Sequence, residues 1–128
     1  MITDPRYRTG VALFQETSFF EAHEVLESLW RETPASDTRQ FLQGLIQLAV
    51  SLEHWRRSNP RGAAGQRAKA REKLTALTSP FEGLMLAELL VDVEAFYASE
   101  REAGPAPATA WPCPRWSDPT SGLAKRGP

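Results

Sequence analysis

Phe19-Phe20-Glu21-Ala22-His23-Glu24-Val25-Leu26-Glu27-Ser28-Leu29-Trp30 is the stretch that decides the fold. At about 3.6 residues per turn, Phe19, Ala22, Leu26, Leu29 and Trp30 fall on one apolar arc, which makes the stretch an amphipathic helix. His23 lies inside that arc and Glu27 on its flank, while Glu21 and Glu24 point largely the other way. Ser18-Phe19-Phe20-Glu21 has the form of a capping box, with the serine oxygen accepting from the Glu21 amide and the Glu21 carboxylate reaching back. The helix is expected to run to about Glu32, where Thr33-Pro34-Ala35-Ser36 breaks it.

Beyond the break, a third helix is expected from Ser36 or Asp37 to about Ser58. Phe41, Leu42, Leu45, Ile46, Leu48, Ala49, Leu52 and Trp55 make it apolar over more than half its circumference, as a central helix is. The remaining stripe of Gln40, Gln43, Gln47, Ser51 and His54 is uncharged, so it should face protein or a cleft rather than bulk water. The short break implies an antiparallel hairpin that sets Glu27 near the level of Gln43 and His23 near Gln47. Gly44 costs about 1 kcal/mol against alanine in a helix. Its presence predicts the close approach of another backbone, from helix two or another subunit.

The flanks carry the same punctuation. Asp4-Pro5 predicts a first helix to about Glu16, with Tyr7, Val11 and Phe14 inward. Asn59-Pro60 opens an alanine-rich fourth helix with a thin seam of Ala63, Ala70, Leu74 and Leu77. Ser79-Pro80-Phe81-Glu82 predicts a second capping box and a fifth helix to about Glu100, its start blurred by Gly83. From Gly104 the chain is Pro-rich, and Trp111 and Trp116 are expected to anchor it as an extended strap. No segment alternates with period two. The expectation is therefore all-α: a compact bundle of about five helices built on the helix two/helix three hairpin. It comprises a single helical domain over residues 1–103 and a tail over residues 104–128, packed on the domain or on a neighbouring subunit.

The chain has 128 residues, enough for one core, with 41% hydrophobic and 24% charged residues. Its formal net charge of −1 supplies no global field for nucleic acid or anionic membrane. One cysteine, Cys113, excludes an intrachain disulfide and suits a reducing cytoplasm. No apolar signal core follows Met1, and no run reaches the length of a membrane span, so a cytoplasmic protein is expected.

Chemistry could reside at the hairpin seam. His23 and Glu27, four apart, share a helical face and could chelate a metal with His54 or a glutamine oxygen. However, there is no H-E-x-x-H motif, and no metal or cofactor is assigned. The catalytic candidates are His23, Glu24 and Glu27, with a general acid–base pair as the mechanism. Set against these is a buried polar network of His23, Glu27, Trp30, Gln43, Gln47 and His54, in which His23 bonds Gln47 or Glu27. The basic run Arg56, Arg57, Arg61, Arg67, Lys69, Arg71 and Lys73 could bind phosphate or RNA. Without interleaved aromatics it reads instead as a solvated helix face.

Phe20-Glu21-Ala22-His23-Glu24-Val25-Leu26-Glu27-Ser28-Leu29-Trp30-Arg31 and Phe41-Leu42-Gln43-Gly44-Leu45-Ile46-Gln47-Leu48-Ala49 together resemble a small bacterial domain-of-unknown-function family, number 309 in its series. The paired E-A-H-E-x-L-E-x-x-W and Q-G-x-I-Q-x-A motifs carry the resemblance, which covers about residues 5 to 98 and omits the tail. It implies an all-helical cytoplasmic protein and brings no established activity. Its signature positions would be Glu21, His23, Glu24, Glu27, Trp30, Gln43, Gly44 and Gln47. Where many relatives have an aspartate two residues after the glycine at Gly83, this chain has Met85, which weakens a catalytic reading. The leading expectation is a non-catalytic binding or interaction module, with a homodimer as one form and the small-molecule ligand left open. The alternative is a small metal-binding or hydrolase-like enzyme at the seam. A third reading is phosphate or RNA binding through helix four. Neither nucleic acid nor membrane is the expected partner.

Overall fold

The structure, a computed structural model, describes residues 1–103 and 111–117; the rest of the Pro-rich tail lies outside the described residues. Five helices follow in order: α1 Pro5–Gln15, α2 Phe19–Arg31, α3 Asp37–Arg56, α4 Pro60–Thr75 and α5 Leu86–Ala103. The described residues contain two isolated β-bridges and no strand. No helix among them is long and apolar enough to cross a membrane. Residues Ile2–Leu77 form one compact unit, and Met1 with the described residues from Thr78 onward forms a second.

In the first unit, α1 packs on α2, α2 on α3 and α3 on α4. Local chemistry starts three of the helices. Asp4 accepts from the Arg6 amide at 2.9 Å, Ser36 from the Arg39 amide at 3.1 Å and Asn59 from the Gly62 amide at 3.0 Å. The fourth start differs from the expected capping box, because Ser18 makes no side-chain cap hydrogen bond. Its backbone already closes α1: Ser18 N–H bonds Leu13 O at 2.9 Å and Thr17 N–H bonds Phe14 O at 3.0 Å, with Thr17 at φ 63°. That is a Schellman ending, and Ser18 follows it at φ −87°, ψ 68° without its hydroxyl bonding an amide of the first turn. The turn from α3 to α4 repeats the motif, with Ser58 at φ 62°, Asn59 N–H on His54 O at 2.8 Å and Ser58 N–H on Trp55 O at 3.0 Å.

Two glycines set the helix crossings. A Cβ on Gly10 would stand 2.5 Å from Leu26 Cγ, and a Cβ on Gly44 would stand 2.5 Å from Leu74 Cγ. The close approach expected at Gly44 is therefore real, but it is made by a leucine side chain of α4 and not by the backbone of α2 or another subunit. Tyr7 and Phe41 meet edge to face at 5.9 Å, and Phe14 and Phe19 do so at 5.5 Å. Arg39 closes the α2–α3 turn. Its guanidinium donates to the Trp30 carbonyl at 2.7 Å and the Thr33 carbonyl at 2.6 Å while lying 4.1 Å from the Trp30 ring centroid.

In the second unit, the expected start of helix five moves. Ser79 does cap α5, but by accepting from the Ala87 amide at 2.9 Å, eight residues on. Between them Phe81 and Leu84 exchange backbone hydrogen bonds of 3.0 and 2.9 Å around Glu82 at φ 47° and Gly83 at φ 78°. Positive φ at both central residues is the mark of a tight two-residue hairpin turn. Residues 111–117 then lie along this turn. Met85 N–H bonds Arg115 O at 2.9 Å, Ser117 N–H bonds Gly83 O at 2.7 Å, and the Trp111 ring sits 4.9 Å from Phe96.

Candidate functional site

The expected uncharged stripe of α3 divides between two neighbours. Gln40 Nε2 donates to Lys73 O at 2.8 Å and the buried Ser51 Oγ to Ala63 O at 2.7 Å, so these two residues tie α3 to α4. On the other side a groove of about 330 Å³ runs between α2 and α3. Phe19, Phe20 and His23 line it from α2, and Val50, Glu53, His54 and Arg57 from the C-terminal half of α3 and its cap. Phe19 is fully buried and forms the floor, while Phe20 is 47% exposed at the edge, 5.8 Å from the His23 ring.

Fixed side chains close one end. Glu53 takes a hydrogen bond on each carboxylate oxygen, from Arg56 on Oε1 and from Arg57 on Oε2. Partial burial pushes its pKa up, but the bonds from Arg57 and Arg56 outweigh burial and hold the carboxyl below its ordinary value. Arg56 also donates to Thr17 O at 2.7 Å and lies 4.9 Å from the Phe19 ring centroid. The Asn59 amide places its nitrogen 3.2 Å from His54 Nδ1, and its oxygen accepts from Gly62 N–H at 3.0 Å. That oxygen bond orients the amide, so Nδ1 is the acceptor and the proton of the neutral ring is on Nε2.

The candidate residues read from the sequence come together only in part. His23 and His54 line the same groove, whereas Gln43, Gln47 and Trp30 line neither this groove nor the next. The expected polar network does not form. His23 Nε2 is 3.9 Å from Glu27 Oε1, beyond hydrogen-bond length, and Gln47 Oε1 is buried with no partner. Trp30 Nε1 is likewise buried and unpartnered. The reason is orientation: His23 stands beside Phe20 in the groove, and Glu27 turns to Arg31, which it meets at 3.2 Å. A second, shallower depression of about 490 Å³, lined by His23, Glu24, Glu27, Ser28, Arg31 and Glu32, holds the other two catalytic candidates. Among the described residues no three His, Cys, Asp or Glu side chains stand together as a metal site. At about 100° per residue, Arg71, Arg61, Lys69 and Lys73 follow one another round the side of α4 away from the buried seam of Ala63, Ala70 and Leu74, and Arg67 lies beside the seam.

Phe20, Val50 and Glu53 were not among the site candidates of the sequence, and Arg57 was named only within the basic run. Phe20 carried one usable signal, a large aromatic residue lying off the apolar arc of its helix.

The chain is 49% identical over 45 residues to "Uncharacterized protein YpuF" of Bacillus subtilis (strain 168), which spans 35% of this chain and 26% of that one. It is 25% identical over 87 residues to an "Uncharacterized protein" of Aquifex aeolicus (strain VF5), covering 68% of this chain and 26% of that one. The chain thus spans about a quarter of the length of the curated relatives it matches. All seven groove residues lie within the part of the chain that carries a family match. Residues 7–66 match the model described as Domain of unknown function (DUF309), the family that the two motifs resemble.

Proposed function

We propose that the helical unit is a non-catalytic binding module that receives a segment of a protein partner in the α2/α3 groove. One observation carries the reading: Phe20 stands 47% exposed at the edge of a groove whose floor is apolar and whose polar end is rigidly held. A large aromatic side chain left in water beside a groove is what an interface anchor looks like before its partner arrives. The groove is open along one side, which suits an extended or helical segment better than an enclosed small molecule. A cytoplasmic setting, in which Cys113 stays reduced, belongs to this reading. A homodimer loses one of its two supports, since Leu74 of α4 already fills the close approach at Gly44.

The test is selection of a random peptide display library against the full chain and, in parallel, against Phe20→Ala. Because Phe20 is half exposed, the variant should melt within a few degrees of the parent. Peptides enriched on the parent and lost on the variant are the expected outcome. Equal recovery on both proteins would remove the groove as the binding site.

A further inference from the structure

We infer that the segment this groove accepts carries an apolar side chain and, within about three residues of it in either direction, a side-chain carboxylate; the inference rests on the binding reading above. The apolar half follows from the lining. Phe19 is fully buried, and Phe20 and Val50 line the groove from its two helices, so an aliphatic or aromatic side chain seated there would cover Phe20 and be covered by it.

The carboxylate follows from hydrogen-bond accounting at the other end. Both oxygens of Glu53 are engaged, by Arg56 and Arg57, so the only carboxylate of the groove accepts within its own cluster. Arg56 is committed to Glu53, to the Thr17 carbonyl and to the Phe19 ring. Arg57 spends only Nε on Glu53, and its side chain is 70% exposed, which leaves its two terminal nitrogens for a ligand. His54, with Nδ1 accepting from Asn59, has Nε2–H as its remaining ring donor. The end of the groove thus presents donors, the terminal nitrogens of Arg57 and Nε2–H of His54, while Arg56 behind them shares the neutralisation of Glu53. With Glu53 already engaged, the two terminal nitrogens of Arg57 can hold both oxygens of a carboxylate.

Spacing follows from the helix. Val50 and Arg57 are seven positions apart, roughly 10 Å along the axis at about 1.5 Å per residue. An extended segment covers that in about three residues at roughly 3.3 Å each.

The experiment uses the full chain and the peptides recovered in a Phe20-dependent way. The recovered set should be enriched in an apolar residue with Asp or Glu within three positions on one side of it. In fluorescence anisotropy with one such peptide, changing its acid to the amide should weaken binding at least tenfold. Arg57→Gln should weaken the parent peptide by a similar factor. Arg57→Gln with the amide peptide should show little further loss, because each change removes the same interaction. That cycle separates a direct contact from any indirect effect of freeing Glu53. A Phe20-dependent set without acidic residues, or additive losses in the cycle, overturns the carboxylate while leaving the groove as the site. Failure to recover any Phe20-dependent peptide overturns the binding reading itself.

Discussion

At Gly44 a Cβ would stand 2.5 Å from Leu74 Cγ, a branch point that cannot swing aside as a chain end could. Two effects oppose each other in Gly44→Ala: helix propensity returns about 1 kcal/mol, and overpacking costs about 1–3 kcal/mol. The net expectation is a loss of up to about 2 kcal/mol, read from urea unfolding. Placed on a Leu74→Ala background, the same substitution should reverse sign and stabilise, since the clash is gone and only the propensity gain remains. A loss of equal size on both backgrounds would show that Leu74 is not the obstacle. Gln47 and Trp30 illustrate the opposite case. Each buries a polar atom without a partner, and such groups cost free energy in the folded state. Both were legible in the sequence as members of a polar seam. What could not be read is that they miss one another, because that depends on side-chain rotation on two separate helices.

Helix starts and stops were the most legible features, and their exceptions are instructive. Asp4, Ser36 and Asn59 cap as their sequence positions imply, since cap and amide lie two or three residues apart. Ser18 does not: it and Asn59 both follow a Schellman ending, but only the longer asparagine side chain makes the cap bond. The start of α1 is further tied to the end of α2 by Arg6, which donates to Asp4 at 2.9 Å, Ser28 Oγ at 2.9 Å and both oxygens of Glu32 at 2.8 and 3.1 Å. The Arg6 side chain, and after it the Arg6 backbone amide, hold the Asp4 carboxyl at a pKa of about 2, well below its ordinary value. A carboxylate depressed in the folded state contributes stability above its unfolded pKa and loses it as pH falls through the folded value. Arg6→Gln should therefore lower the melting temperature at pH 6, and the gap from the parent should narrow between about pH 4 and pH 2. Thermal melts across that range check it; a gap independent of pH would mean that Arg6 acts through packing alone. The clamp is exposed to solvent, so added salt should also shrink the effect.

At the scale of the molecule, Ile2–Leu77 carries the whole groove, four helices and both glycine crossings within one compact unit. It should fold when expressed alone, with helical circular dichroism and a cooperative thermal transition. A fragment of residues 2–77 that melts without cooperativity would show that its core is completed by the rest of the chain. The second unit shows how far a short signal can be displaced. Ser79 was readable as a cap, yet the chain inserts a hairpin turn at Glu82 and Gly83 before the helix it caps begins at Leu86. Glycine at position 83 hinted at the interruption. The pairing of residues 83–85 with 115–117 could not be seen, because a strap thirty residues downstream leaves no mark on the local pattern.

The sequence by itself determined that the protein is built of helices, where most of them begin, and that α2 and α3 form its central hairpin. These are consequences of periodicity, proline and capping residues acting over one or two turns. Only the tertiary structure decided which side chains share a site. Phe20 and Arg57 lie 37 positions apart in the chain, and the stripe of α3 had to be divided between α4 and the groove before His54 could be separated from Ser51. A helix pattern specifies which face is buried, but the angle at which two helices cross and the rotation of each side chain depend on packing across the pair. Here that packing opens a groove beside Phe20 at a seam that sequence patterning left undecided between a cleft and a sealed network.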